Sequence, residues 1–251
     1  DSYTTDSAAG GSALATGELH DNRHISMSNT GEAYPSFTDY MYDYGYACGV
    51  ITLGNLADAT PAAYYGHSTE RDNSDEITDY LLNGKLTLLN GAGMQVFTKR
   101  NDKKDILTEL KKKYRISTNI DDINADDRKV ICVDERMDLA ASEKTLSLLA
   151  QATRQGIEKL TKTNEKGFFL MVEGAKIDYA GHANSLPGTV VETLSFDLAV
   201  AEALRFADEN GETLVIVTGD HETGGLTFVD GDFNTGHVTA RFSTDDHTAM
   251  M

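Results

Sequence analysis

Phe168-Phe169-Leu170-Met171-Val172 is an unbroken apolar run that leads straight into Glu173-Gly174-Ala175-Lys176-Ile177-Asp178-Tyr179-Ala180-Gly181-His182. A short apolar run bounded by glycine and charge reads as a strand buried on both faces. A second run, Thr213-Leu214-Val215-Ile216-Val217-Thr218, leads in the same way into Gly219-Asp220-His221-Glu222. Residues 47–53 and 129–133 read as two further buried strands. Between the runs lie long amphipathic helices: residues 142–160, packed by Leu146, Leu149, Ile157 and Leu160, and residues 187–208, packed by Val190, Leu194, Leu198 and Phe206. Strands alternating with helices predict an α/β fold with a mainly parallel central sheet and helices on both faces.

Shorter stretches fill in this plan. Residues 36–44, 75–82 and 103–114 read as helices, 86–89 as a short strand, 91–93 as a glycine turn and 121–128 as an acidic loop. Pro61 suits the first position of a helix capped by Thr60, with His67 and Arg71 further along it at i,i+4.

In an open α/β sheet, ligands gather beyond the carboxyl ends of the strands. Glu173, Asp178 and His182 stand at one such end, Asp220 and His221 at another, and Asp58 and Thr60 at a third. Near the start, Thr5-Asp6-Ser7-Ala8-Ala9-Gly10-Gly11-Ser12-Ala13-Leu14-Ala15-Thr16-Gly17 reads as a helix of tiny residues that can lie close to a sheet. Its leading hydroxyl sits where free N–H groups and the helix dipole favour a phosphate or an oxyanion. Each motif alone has a structural reading, as an N-cap, a loop or a surface charge. Together they predict a crevice in which mixed carboxylate and imidazole sets suit Zn²⁺ and oxygen-only sets suit Mg²⁺. Arg71 is shaped to grip two phosphate oxygens.

At 251 residues and 40% hydrophobic content, the chain can bury one large core. A formal charge of −18 argues against nucleic acid or an anionic membrane as partner. Attraction for a phosphate must therefore come from local cations. Cys48 and Cys132 fall in apolar strand-like runs and read as buried thiols. No apolar run suits a membrane span or a signal peptide. The chain opens inside a motif and stops at His247-Thr248-Ala249-Met250-Met251 without a closing element, which reads as an excerpt of a longer protein.

These motifs resemble those of the bacterial alkaline phosphatase family, two-zinc, one-magnesium phosphomonoesterases, over nearly the whole chain. Thr5-Asp6-Ser7-Ala8 is similar to the nucleophile motif, which implies that Ser7 is transiently phosphorylated. Asp58-Ala59-Thr60-Pro61 resembles the segment whose threonine binds magnesium, and residues 67–71 resemble the one whose arginine, Arg71, holds the phosphate. The resemblance further implies Glu173 on magnesium, Asp178 and His182 on the first zinc, and Asp220 and His221 on the second. Ser243-Thr244-Asp245-Asp246-His247-Thr248 is a shorter match that would add His247 to the first zinc.

The family also has an aspartate after an upstream strand, and further C-terminal strands, that have no counterpart between residues 1 and 251. Tyr179 stands where relatives vary. The implied reaction is hydrolysis of small phosphate monoesters to inorganic phosphate, with Ser7 also a ligand of the second zinc. No histidine is tied to Ser7 by spacing, so a Ser-His-Asp hydrolase is not supported. The family implies a periplasmic or extracellular homodimer. Alternatives are a phosphodiesterase or sulfatase of the same superfamily, or a non-catalytic metal- or phosphate-binding fragment.

Overall fold

The computed structural model describes residues 3–123 and 128–249. The chain opens with α1 (Ser7–Thr16), α2 (Phe37–Asp43) and β1 (Ala47–Asn55), followed by α3 (Ala59–Ala63), α4 (Ser74–Asp79) and β2 (Leu88–Ala92). Then come α5 (Gln95–Thr98), α6 (Ile106–Leu110), β3 (Tyr114–Ser117), β4 (Lys129–Val133), α7 (Leu148–Thr163) and β5 (Phe168–Glu173). The last part holds α8 (Lys176–His182), α9 (Leu186–Asn210), β6 (Glu222–Thr223), β7 (Thr227–Asp232), β8 (His237–Arg241) and β9 (His247–Thr248).

The main sheet has five strands in the order β3-β4-β2-β1-β5, and every pairing in it is parallel. Alternate residues enter opposite cores, as the two-residue period of a strand demands. Cys48, Val50, Leu89, Ile131 and Val133 join one apolar cluster with α1, α3 and α4. Ala47, Ile51, Leu53, Leu88, Val130 and Cys132 join another with α7 on the far face. This is the layered α/β arrangement that the alternation of elements predicts. Parallel register sends β1, β2 and β5 out on the same side, with Thr52 opposite Glu173. Both cysteines are buried and free, as their apolar settings predict. No helix among the described residues is long and apolar enough to cross a membrane.

Several local expectations are corrected. Thr213–Thr218 forms no strand among the described residues, and Leu214, Ile216 and Val217 are 83%, 76% and 54% exposed. β5 is an edge strand paired only with β1 among the described residues, and this segment does not add to its outer edge. Asp58, not Thr60, caps α3 by accepting the Ala59 N–H, which puts Pro61 at the third helical position. That helix ends at Ala63, leaving His67 and Arg71 in the following loop. Gly91 and Ala92 belong to β2 rather than to a turn, and only Gly93 takes a positive φ, of 97°.

The charged stretch of residues 103–114 keeps a helix only at Ile106–Leu110, because Tyr114 starts a buried strand. The helix expected from Ser142 begins at Leu148. Residues 124–127 of the expected acidic loop lie outside the described residues. The small residues of α1 bring it close to α3 and the Asp220 turn rather than to the sheet: a Cβ on Gly10 would stand 2.8 Å from the Asp220 carbonyl oxygen, and one on Gly11 3.2 Å from Thr60 Cα.

Candidate metal and phosphate site

Asp6 is the N-cap of α1, its Oδ1 accepting the Ala9 N–H at 2.9 Å, so Ser7 is the first helical residue. The other oxygen of the same carboxylate accepts from Arg71 Nη1 at 3.1 Å. Arg71 Nη2 donates to Asp58 Oδ1, also at 3.1 Å, and that oxygen caps α3. One guanidinium is thus held between two carboxylates that each start a helix. Charge-assisted bonds of this kind fix both the position and the plane of the fork. Tyr179 donates to the remaining oxygen of Asp58 at 2.9 Å. Burial and the Asp58 charge push the Tyr179 phenol up, so it stays a donor.

Glu173, at the end of β5, accepts from the Thr52 hydroxyl at 2.5 Å. The residue is partly open to solvent, but its carboxyl meets a hydroxyl that is fully buried. Burial, with added repulsion from Asp58 and Asp220, pushes this carboxyl up to about 8, opposed by the hydroxyls of Thr52 and Thr60. An oxygen-only pocket with surplus negative charge is what a hard cation fits.

Asp178 and His182 share a face of α8, with His182 Nε2 3.4 Å from Asp178 Oδ1. His182 Nδ1 pairs with the Asp245 carbonyl, leaving Nε2 directed at the carboxylate. The β6 and β9 ladder sets His247 opposite Thr223 and brings its Nε2 to 3.7 Å from Asp178 Oδ1. Burial, followed by the neighbouring His221, lowers the His247 imidazole pKa.

On the second cluster, His221 Nε2 lies 2.8 Å from Ser7 Oγ and 3.3 Å from Asp220 Oδ2. Its Nδ1 faces the Thr223 hydroxyl, 3.2 Å away. Spacing gave no reason to tie a histidine to Ser7, and the fold does so. The arrangement is still not a relay triad, because Asp220 and Ser7 share one ring nitrogen instead of flanking the ring. Three such groups meeting at one point can serve as a ligand set. Asp178, His221 and His247 also bring one ligand atom each within 4.8 Å of one another, with the His221 and His247 rings 3.9 Å apart. The two expected sets, Asp178-His182-His247 and Ser7-Asp220-His221, are therefore adjoining. Imidazoles oriented through their second nitrogen, beside carboxylates, fit zinc.

Sequence reasoning missed how the site is supported. Asp6 and Asp58 act as the holders of Arg71, Thr52 meets Glu173, and the Thr223 hydroxyl donates to Asp178. Thr52 had left a trace, as a lone hydroxyl inside an otherwise apolar strand.

A family model described as alkaline phosphatase matches residues 1–251. The chain belongs to the alkaline phosphatase family. It is 34% identical over 235 residues to alkaline phosphatase 4 of Bacillus subtilis, a match covering 89% of this chain and 50% of that protein. With alkaline phosphatase of Escherichia coli it shares 29% over 308 residues, covering 99% of this chain and 64% of that protein. The solved alkaline phosphatase from the Antarctic bacterium TAB5 superposes with a TM-score of 0.92 at 33% identity, covering 99% of this chain and 76% of that one. Mutants of that enzyme carry Mg in a site named M3. The chain thus spans 50% to 64% of these two curated alkaline phosphatases.

Proposed function

We propose that the full-length protein is a metal-dependent phosphate monoester hydrolase acting through a phosphoserine at Ser7. The observation that carries this reading is the meeting of Ser7 Oγ, Asp220 and His221 at the first turn of α1, beside a guanidinium anchored through Asp6. Asp178, His182 and His247 would hold one zinc, Asp220 and His221 with Ser7 Oγ a second, and Glu173 with Thr60 a magnesium. These ions, when bound, supply Lewis acidity toward the entering and leaving oxygens and offset the negative walls. Arg71 takes two non-bridging phosphate oxygens, and Asp6 and Asp58 keep its fork facing them. The Ser7 hydroxyl loses its proton and its oxygen attacks phosphorus in line. The P–O bond to the alcohol breaks on the opposite side, and the alcohol leaves after taking up a proton. Water then attacks the phosphoserine, breaking the Ser7 O–P bond to release inorganic phosphate and restore the hydroxyl.

Arg71 together with the Thr60 and Glu173 pocket favours a monoester over the diester and sulfate alternatives, and turnover of an aryl phosphate, a diester and an aryl sulfate separates them. Export to the periplasm or beyond and homodimer formation are inferred from family membership, and cell fractionation and light scattering on the full-length protein test them. Ser7→Ala is expected to abolish covalent labelling by radioactive phosphate while metal content stays as in the unsubstituted protein. Label still bound to that variant would refute the assignment.

A further inference from the structure

A polar cavity of about 540 Å³ adjoins the anchored arginine. Its lining joins Arg71, Asp58 and Tyr179 to Asp72, Lys99 and Asp138, and no role described above uses it. The volume falls in the range of small-molecule sites. Each carboxylate of the lining is already answered by a cation of this chain. Asp58 is held by Arg71 at 3.1 Å, Asp72 by Arg23 and Asp138 by Lys176. Lys99, just past the end of α5, makes no ion pair or side-chain hydrogen bond among the described residues. Arg71 and Arg23 are each shared between two carboxylates, so among the described residues Lys99 is the one cation of the lining whose ammonium is left for a ligand. It opens from the same guanidinium that reaches Asp6 beside Ser7.

We propose that this cavity receives the alcohol part of the substrate and that Lys99 favours alcohols bearing a second anionic group, a proposal that rests on the phosphatase reading above. A phosphoryl group on Arg71 would lie beside a cavity that Tyr179 and Lys99 also line, so its alcohol has room to extend there. A carboxylate or a second phosphate there would meet an ammonium, whereas a neutral alcohol would leave it to water.

The test uses the full-length, metal-loaded protein and two ligand pairs: phenyl phosphate with 4-carboxyphenyl phosphate for turnover, and benzylphosphonate with 4-carboxybenzylphosphonate for calorimetric binding. The carboxylated member of each pair is expected to show a KM or Kd lower by roughly two- to fivefold at low salt, the size of an exposed ion pair. Lys99→Met should erase that ratio and Lys99→Glu should invert it. Working with ratios cancels any general loss in the variants. A ratio untouched by Lys99→Glu overturns the proposal. Absence of phenyl phosphate turnover would instead refute the phosphatase reading, and the phosphonate ratios would still decide the role of Lys99.

Discussion

Gly10→Ala should damage the site while obeying every rule of helix propensity. Gly10 lies in the interior of α1, where replacing glycine by alanine ordinarily stabilises by about 1 kcal/mol. Here the new Cβ would meet the Asp220 carbonyl oxygen at 2.8 Å and Asp220 Cβ at 3.1 Å. Neither atom is the free end of a flexible side chain. Restoring ordinary van der Waals separation means parting α1 and the Asp220 turn by roughly half an ångström. Overpacking of this kind costs about 1–3 kcal/mol, so the propensity gain is cancelled or exceeded. The net loss of up to about 2 kcal/mol would lower Tm by several degrees, at roughly 2–4 °C per kcal/mol for a chain this long.

The parting also acts where Ser7, Asp220 and His221 meet. A misplacement of about 1 Å can cost on the order of a hundredfold in rate, so half of that is expected to cost about tenfold. The assay is kcat for an aryl phosphate on full-length, metal-loaded protein, beside a calorimetric Tm. Gly11→Ala, with 3.2 Å to Thr60 Cα, serves as a milder companion and should lose less. A Gly10→Ala protein with a raised Tm and kcat within about twofold of the parent would refute the argument that α1 needs this close approach.

Arg71→Ala removes the fork and leaves Asp6 and Asp58 without their shared cation. Inorganic phosphate should then inhibit roughly ten- to a hundredfold more weakly, the weight of a charged hydrogen-bond pair. Glu173, pushed up to about 8, keeps in the metal-free fold a proton that the unfolded chain releases near its ordinary 4.5. Its contribution to stability is thus complete below about 4.5 and is lost as pH rises toward about 8. The Tm of chelator-treated protein should fall across that window, and Glu173→Gln should flatten the fall. A slope unchanged by the substitution would assign it to other groups. Burial pushes the Cys48 and Cys132 thiols up to about 12, so a thiol reagent at neutral pH should modify neither in the native state and both after denaturation. Prompt native-state labelling of either would contradict the buried strands that hold them.

The parallel sheet was legible because β1, β4 and β5 are nearly uniform apolar runs separated by helical segments, a pattern few other folds require. β3 was not, since the lysines before Tyr114 favour helix and only the tertiary core, where Tyr114 is 1% exposed, decides for a strand. The place of Glu173 at the end of β5 was legible, whereas Asp220 and His221 follow a segment that forms no strand among the described residues. The pairing of Arg71 with Asp6 and Asp58 was not legible, because hydrogen bonds across 65 and 13 residues leave no local period to read.

The run from Thr213 to Thr218 shows where apolar pattern and strand formation part company. Its side chains carry the signature of an inner strand, yet Leu214 is 83% exposed and the segment joins no ladder among the described residues. Composition states only what side chains gain from burial, whereas a ladder also needs backbone N–H and C=O groups aligned in register with an edge, and this segment does not align with the outer edge of β5. The segment nonetheless delivers Asp220 and His221 to Ser7. That delivery depends on the close approach of Gly10 to the Asp220 carbonyl, a contact made by α1 and independent of any strand pairing. The site is thus set at this end by helix packing and at the Glu173 end by the sheet, so a lesion in α1 should weaken the Asp220 and His221 cluster while leaving the Glu173 carboxyl on Thr52 undisturbed.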